Sequence, residues 1–204
     1  MELEAEFEYS IKLLLIGDSC VGKSNFIFRF TNNEFKGIHL SSAGIELKNT
    51  EIVIDNKKLH LLIWDTAGQE KYKSVTKTLF TKVQGFIAMF DLTKEETFIN
   101  VKAWITLIKE ECGSHTPILL VGNKNDLKDT PFISEEKIKK YSKDEGLEYI
   151  QTSSKTGDNI KKAINIICRL VAEKIEEETS FNRHFSFSLD SEQYNKKKTK
   201  ILCC

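Results

Sequence analysis

Gly17-Asp18-Ser19-Cys20-Val21-Gly22-Lys23-Ser24 is the stretch on which the reading of this chain turns. It fits G-x-x-x-x-G-K-[ST]. It lies between a short apolar run, Ile11–Ile16, and a segment that puts Phe26, Ile27 and Phe30 on one helical face. A loop of this composition between a buried strand and a helix is the pattern of a phosphate cradle. Its glycines let the backbone wrap closely around an anion. The N–H groups of Ser19, Cys20, Val21, Gly22 and Lys23 and the helix N-terminus then point at it. In that reading Lys23 meets the outer phosphates as a point charge, and the Ser24 hydroxyl ligates Mg²⁺.

Outward from the loop, strand and helix signals alternate. Ile45–Ile54 and Leu59–Trp64 read as strands separated by the turn formers Asp55-Asn56, and Phe86–Phe90 and Ile118–Val121 as strands covered on both faces. Phe98, Val101, Ile105 and Ile108 recur at helical spacing, with Thr97 or an earlier residue as the expected cap. Ser134 is a candidate N-cap, followed by Glu135 and Glu136 in the first turn of a polar helix. Glu148–Thr152 reads as a short edge strand, and Ile160, Ala163, Ile164, Ile167 and Val171 as the stripe of a last helix. The order β-α-β-β-(α)-β-α-β-α-β-α predicts an α/β fold. Its six-stranded sheet is mostly parallel with one antiparallel strand and has helices on both faces. Residues 1–9 are expected to form an N-terminal extension, 10–178 the folded domain, and 179–204 a polar tail without periodicity.

Composition narrows the function classes. A chain of 204 residues with 40% hydrophobic and 29% charged residues suits one soluble domain. Lys+Arg and Asp+Glu are both 30, so nucleic acid is not the expected partner. No apolar run is long enough to span a bilayer, and no secretory signal is visible. The odd set Cys20, Cys112, Cys168, Cys203 and Cys204 points to a reducing compartment. Cys112 and Cys168 are expected to be buried packing residues.

Two further loops carry chemistry. Asn123-Lys124-Asn125-Asp126 follows the Ile118–Gly122 run, at a carboxyl edge of the sheet. A buried Asp126 carboxylate accepts from the N1–H and exocyclic amine of guanine, a donor pair that adenine lacks on that edge. The Lys124 stem suits the ring plane, and Asn123 is placed to tie this loop to the phosphate loop. Ser153-Ser154-Lys155, after the last strand, offers backbone N–H groups to the guanine oxygen. Asp65-Thr66-Ala67-Gly68-Gln69-Glu70 supplies Asp65 for Mg²⁺ through water. Gly68 gives an N–H that approaches a terminal phosphate without Cβ interference, and Gln69 orients the attacking water.

In this order and spacing the motifs resemble those of the Ras superfamily of small GTPases over roughly Ile11 to Lys174. Gly17–Ser24, Ile63–Glu70 and the terminal Cys203-Cys204 are most similar to Rab GTPases. The resemblance implies a P-loop G domain that binds GTP or GDP with Mg²⁺ and hydrolyses GTP slowly. It would act as a switch in vesicle traffic. It also implies two nucleotide-sensing segments, from about Phe35 to Leu47 and from about Ala67 to Phe80. Phe35 matches the aromatic that packs on guanine. Ser42 matches the threonine that ligates Mg²⁺ and senses the γ-phosphate; it keeps the hydroxyl and loses the methyl. Exchange factors, GTPase-activating proteins, effectors and a prenyl-binding chaperone are the implied partners of a monomer. A GTP-binding switch or scaffold of another branch with little hydrolysis is the alternative.

The departures concern partners. Rabs carry an aromatic trio on the effector face; here Trp64 is kept, while Leu47 and Leu79 occupy the other positions, and Ala43–Leu47 matches only in part. Cys203-Cys204 is not a C-a-a-X box. It is similar to the paired end that Rabs geranylgeranylate, and two chains anchor stably where one is marginal. Lys196, Lys197, Lys198 and Lys200 add attraction to anionic lipid. The expected location is the cytoplasmic face of an intracellular membrane, with a cytosolic pool.

Overall fold

The computed structural model of the chain describes residues 9–37, 45–54, 57–66, 78–127 and 133–179. Successive side chains of a strand leave opposite faces of a sheet, so a strand covered on both sides needs apolar residues at every position. β1 (Tyr9–Ile16) has this composition from Leu13 onward: Leu13 and Leu15, with Ile11 before them, join one core cluster, while Leu14 and Ile16 join the other. β4 (Gly85–Asp91) and β5 (Ile118–Asn123) are buried along their whole lengths. They divide in the same way, Ile87, Met89, Leu119 and Val121 against Phe86, Ala88, Phe90, Ile118 and Leu120.

The sheet is completed by β2 (Ile45–Ile54), β3 (Lys57–Thr66) and β6 (Glu148–Gln151), in the order β2-β3-β1-β4-β5-β6. Only the β2–β3 pair is antiparallel; β1 pairs parallel with β3 and β4, and β5 parallel with β4 and β6. β1 is therefore where the chain turns from building one half of the sheet to building the other. Ligand crevices of open α/β sheets form beyond the carboxyl ends of the strands at such a place.

α1 (Lys23–Asn32) buries Phe26 and Ile27 on the first cluster, and a last helix over residues 160–179, here α4, adds Ile160, Ala163, Ile164, Ile167, Cys168 and Val171. α2 (Glu95–Cys112) covers the opposite face with Phe98, Val101, Trp104, Ile105 and Ile108, joined by Ile138 of α3 (Glu135–Asp144). The cap of α2 is Lys94, one of the earlier residues that the sequence allowed beside Thr97. Thr97 lies inside the first turn, where its hydroxyl donates to Lys94 O at 2.7 Å and accepts from the Asp91 N–H at 3.0 Å. Ser134 is the N-cap residue of α3 but its side chain makes no capping bond.

Two details correct or extend the sequence reading. Cys168 is buried, and burial pushes its thiol up to about 12. Cys112 is only half-buried, its Sγ 3.9 Å from Phe80 O, because it is the last residue of α2, between the exposed Glu111 and Gly113. On the β4 side, β1 is paired from Leu13 onward. Ahead of that, Gln84 stands in for strand: its N–H donates to Lys12 O at 2.9 Å and its Oε1 accepts from Lys12 N at 2.7 Å.

β4 meets α4 at Gly85. A Cβ there would lie 2.7 Å from Val171 Cγ2 and 3.1 Å from Leu13 Cδ2. Gly85→Ala is expected to cost about 1–3 kcal/mol by overpacking. The double variant Gly85→Ala/Val171→Ala should recover part of that loss in urea unfolding. Additive losses would show that the contact does not limit packing.

Candidate functional site

The loop of residues 17–22 leaves β1 and enters α1 through three left-handed residues, Gly17, Cys20 and Gly22, at φ 133°, 62° and 103°. Two of these positions require glycine for space as well as for φ. A Cβ on Gly17 would lie 2.1 Å from Met89 O, and one on Gly22 would lie 2.3 Å from Asn123 Nδ2. Ser19 and Cys20 are exposed at the tip, and Val21 is buried beneath it. Lys23, 4% exposed, curls back so that its Nζ donates to Gly17 O at 2.6 Å and Asp18 O at 2.7 Å. The loop thus encloses a buried ammonium at the positive end of α1.

Asp65, near the end of β3, faces that ammonium. It is 2% exposed, and its Oδ1 has no hydrogen-bond partner among the described residues. Burial raises its carboxyl above the ordinary range, against the pull of the Ser24 hydroxyl, which donates to it, and of the Lys23 charge. A buried carboxylate with one oxygen unpartnered, beside a serine hydroxyl, is a hard-oxygen donor set of the kind that suits a small divalent cation.

Asn123 closes β5 and is 1% exposed. Its Nδ2 donates to Val21 O at 2.9 Å. Its Oδ1 accepts from Ser154 N and Thr152 Oγ1, both at 3.1 Å, and from Ser154 Oγ at 3.2 Å. One side chain thereby fastens the phosphate loop, the loop after β5 and the loop after β6 to each other. In the same cleft Ser153 Oγ donates to Asp126 Oδ1 at 2.5 Å and accepts from Thr156 N at 3.1 Å, which fixes the carboxylate's direction. Lys155 Nζ stands 4.0 Å from Asp126 Oδ2.

Lys124 takes φ 71°, and its Nζ lies 2.6 Å from Asp91 Oδ2. Asp91, 1% exposed, is oriented through its other oxygen, which accepts from Thr93 N at 2.9 Å and Thr93 Oγ1 at 2.7 Å. Sequence reasoning passed over Asp91. The signal was there: an acid ends the wholly apolar run Phe86–Phe90. The backbone of 153–155 is also more committed than the sequence implied. The Ser153 N–H donates to Asp158 O at 3.1 Å and the Ser154 N–H to Asn123, while nothing among the described residues accepts from the Lys155 N–H.

Phe35 follows the left-handed cap Asn33 and is 40% exposed. Leu47 and Trp64 face each other across β2 and β3, and Leu79 and Trp64 each pack against the α2-side core. Ser42, Gly68 and Gln69 lie outside the described residues, as do Cys203, Cys204 and the lysines before them. No helix among the described residues is long and apolar enough to cross a membrane.

With this geometry established, the chain can be compared with known proteins. Residues 12–173 match the Ras family, and the chain belongs to that family. It is 35% identical over 184 residues to the Ras-related protein Rab-27B of Rattus norvegicus, covering 85% of this chain and 84% of that protein. It is 36% identical over 211 residues to the GTP-binding protein ypt3 of Schizosaccharomyces pombe, covering 98% and 99%. To the Ras-related protein Rab-3C of Bos taurus it is 38% identical over 177 residues, covering 85% and 78%. The fold, with five parallel strands and one antiparallel, is that of a P-loop G domain, and the protein is a Rab-like small GTPase.

Asn123→Ala should be among the costliest single changes at this site. It strands Val21 O and the Ser154 N–H, each at about 1–3 kcal/mol if left unpaired. The unfolding midpoint should fall, and GDP should leave faster. A variant with wild-type release kinetics would separate Asn123 from the nucleotide site.

Proposed function

We propose that this Rab-like GTPase is a GTP/GDP-dependent switch in vesicle trafficking that uses the cleft beyond the carboxyl ends of β1, β3 and β5. The observation that carries the reading is the Asn123 junction, which holds a phosphate-type loop and a carboxylate-bearing loop as one rigid unit. The residues of 19–23 offer backbone N–H groups to the phosphates, and Lys23 supplies a buried positive charge there. Asp126, aimed by Ser153, reads the N1–H and exocyclic amine of guanine, and a ring lacking those donors leaves the carboxylate unpaired. Lys124, steadied by Asp91, lies along the ring plane, and Phe35 packs at its edge. Ser154 and Lys155 complete the rim.

Ser24 and Asp65 fit Mg²⁺, on the strength of the orphaned Asp65 oxygen beside the serine hydroxyl. Ser42 is proposed as a further hydroxyl ligand. A bound Mg²⁺ neutralises charge on the β- and γ-phosphates. Gln69 orients the attacking water, and the Gly68 N–H meets the γ-phosphate and reports its loss. No arginine among the described site residues faces the phosphates, so hydrolysis is slow until an activating partner supplies charge, an effect of about 10³–10⁵-fold in this enzyme class. Exchange factors, effectors and a prenyl-binding chaperone are the other proposed partners.

The direct test is competition for the purified chain between guanosine and adenosine diphosphates with magnesium present. The expected outcome is strong preference for the guanosine nucleotide. Equal competition by both overturns the reading.

Geranylgeranyl groups on Cys203 and Cys204, helped by the lysines before them, are proposed to hold the protein on the cytoplasmic face of an intracellular membrane, with a cytosolic pool. Replacing both cysteines by serine should move the protein to the soluble fraction on cell fractionation. Undiminished membrane recovery would remove the lipid anchor.

A further inference from the structure

Arg29 lies on α1, the helix whose N-terminus forms the floor of the phosphate loop, yet its guanidinium is spent on the loop at the other end of the cleft. Nε donates to Ser154 O at 3.0 Å, Nη2 donates to Lys155 O, and Nη1 donates to Asn33 O at 2.8 Å. The stem runs past Gly157, where an added Cβ would touch Arg29 Cδ at 3.5 Å and where φ is +88°. A guanidinium is a planar fork, so binding two successive carbonyls fixes direction as well as distance.

The first of those carbonyls is the informative one. Ser154 C=O and Lys155 N–H belong to one peptide unit, and in a trans peptide they point in opposite directions. Every neighbouring N–H is already taken: Ser153 by Asp158 O, Ser154 by Asn123 Oδ1, and Thr156 by Ser153 Oγ. The Lys155 N–H is unengaged by any described residue. The group that sets its direction is Arg29, gripping the carbonyl behind it.

We infer that Arg29 is a positioning residue for base recognition: by holding Ser154 O against α1, it turns the Lys155 N–H outward as a donor for a 6-oxo purine beside Asp126. The inference rests on the guanine-nucleotide reading above and deepens it by naming the residue that aims one of the N–H groups of 153–155. Asp126 reads the donors of the base, and the Lys155 amide reads its acceptor. Arg29 also joins the two ends of the site, since the helix that presents its first turn to phosphate carries the clamp for the base on a later turn.

The test uses the full chain, with Arg29→Ala and Arg29→Lys compared with wild type in nucleotide competition. The three ligands are GDP, inosine diphosphate, and the diphosphate of 2-aminopurine riboside. Inosine keeps the 6-oxo group and N1–H and lacks the exocyclic amine; 2-aminopurine keeps the amine and lacks both the oxygen and the N1–H, so each ligand is scored by its variant-to-wild-type affinity ratio. Arg29→Ala should weaken GDP and inosine diphosphate by a similar factor, on the order of tenfold for one lost hydrogen bond. It should leave the 2-aminopurine nucleotide nearly unchanged. Arg29→Lys, which keeps the charge without the fork, should show the same selectivity with a smaller loss, and it carries the test should the alanine variant not fold. Equal weakening of all three ligands, or of none, overturns the positioning role. A wild-type chain that does not distinguish GDP from ADP overturns the underlying site reading instead, and the Arg29 role with it.

Discussion

The amide of Asn123 is the constraint on which the rest of the site depends. It is buried, so each of its polar atoms must find a partner inside the protein or cost free energy. The partners it finds lie on two loops distant in sequence from its own. Its Nδ2 is committed to Val21 O, and its Oδ1 to groups of Thr152 and Ser154. Gly22 must be glycine in consequence, because the amide occupies the space in which a Cβ would stand. The loop after β1 and the loops after β5 and β6 are in this way made one structure.

The sheet supplies the platform for that junction. With β1 at the centre, loops leaving β1, β3, β4 and β5 at their carboxyl ends converge, which brings Lys23, Asp65, Asp91 and Asn123 together from distant parts of the chain. The two core clusters on either face pack the strands, and the four positions are then fixed by their own hydrogen bonds and ion pairs. The buried polar groups collect at this one end of the sheet and qualify each other. The carboxyl of Asp65 is raised by burial and eased by Lys23 and Ser24, and Asp91 is balanced by Lys124.

Much of the fold was legible in the sequence, because the central strands β4 and β5 are apolar at successive positions and the helices repeat at three and four. The β2 boundaries, Ile45–Ile54, and the stripes of α2 and α4 stand where periodicity puts them. Caps were less legible. Thr97 has the chemistry of a cap yet serves inside the turn, since the chain has already bent at Asp91–Lys94. In the candidate site, the motif residues could be read from spacing because each loop follows its own strand. Arg29 could not, because it belongs to no motif, and Asp91 carried only the signal of an acid closing an apolar run. Their partners, Lys124 and the carbonyls of Ser154 and Lys155, become neighbours only when the sheet is assembled. The occupied N–H groups of Ser153 and Ser154 were likewise invisible, since backbone commitments leave no mark on residue type.

At the end of the sheet remote from the nucleotide cleft, Gln84 has a consequence of a different kind. β1 outruns β4 there, and an uncovered length of central strand would be a template for any extended segment that met it. The Gln84 amide and its own N–H occupy those backbone groups as a short piece of β-structure would. The chain is thereby closed to indiscriminate strand addition at this edge, and the closure takes one side chain.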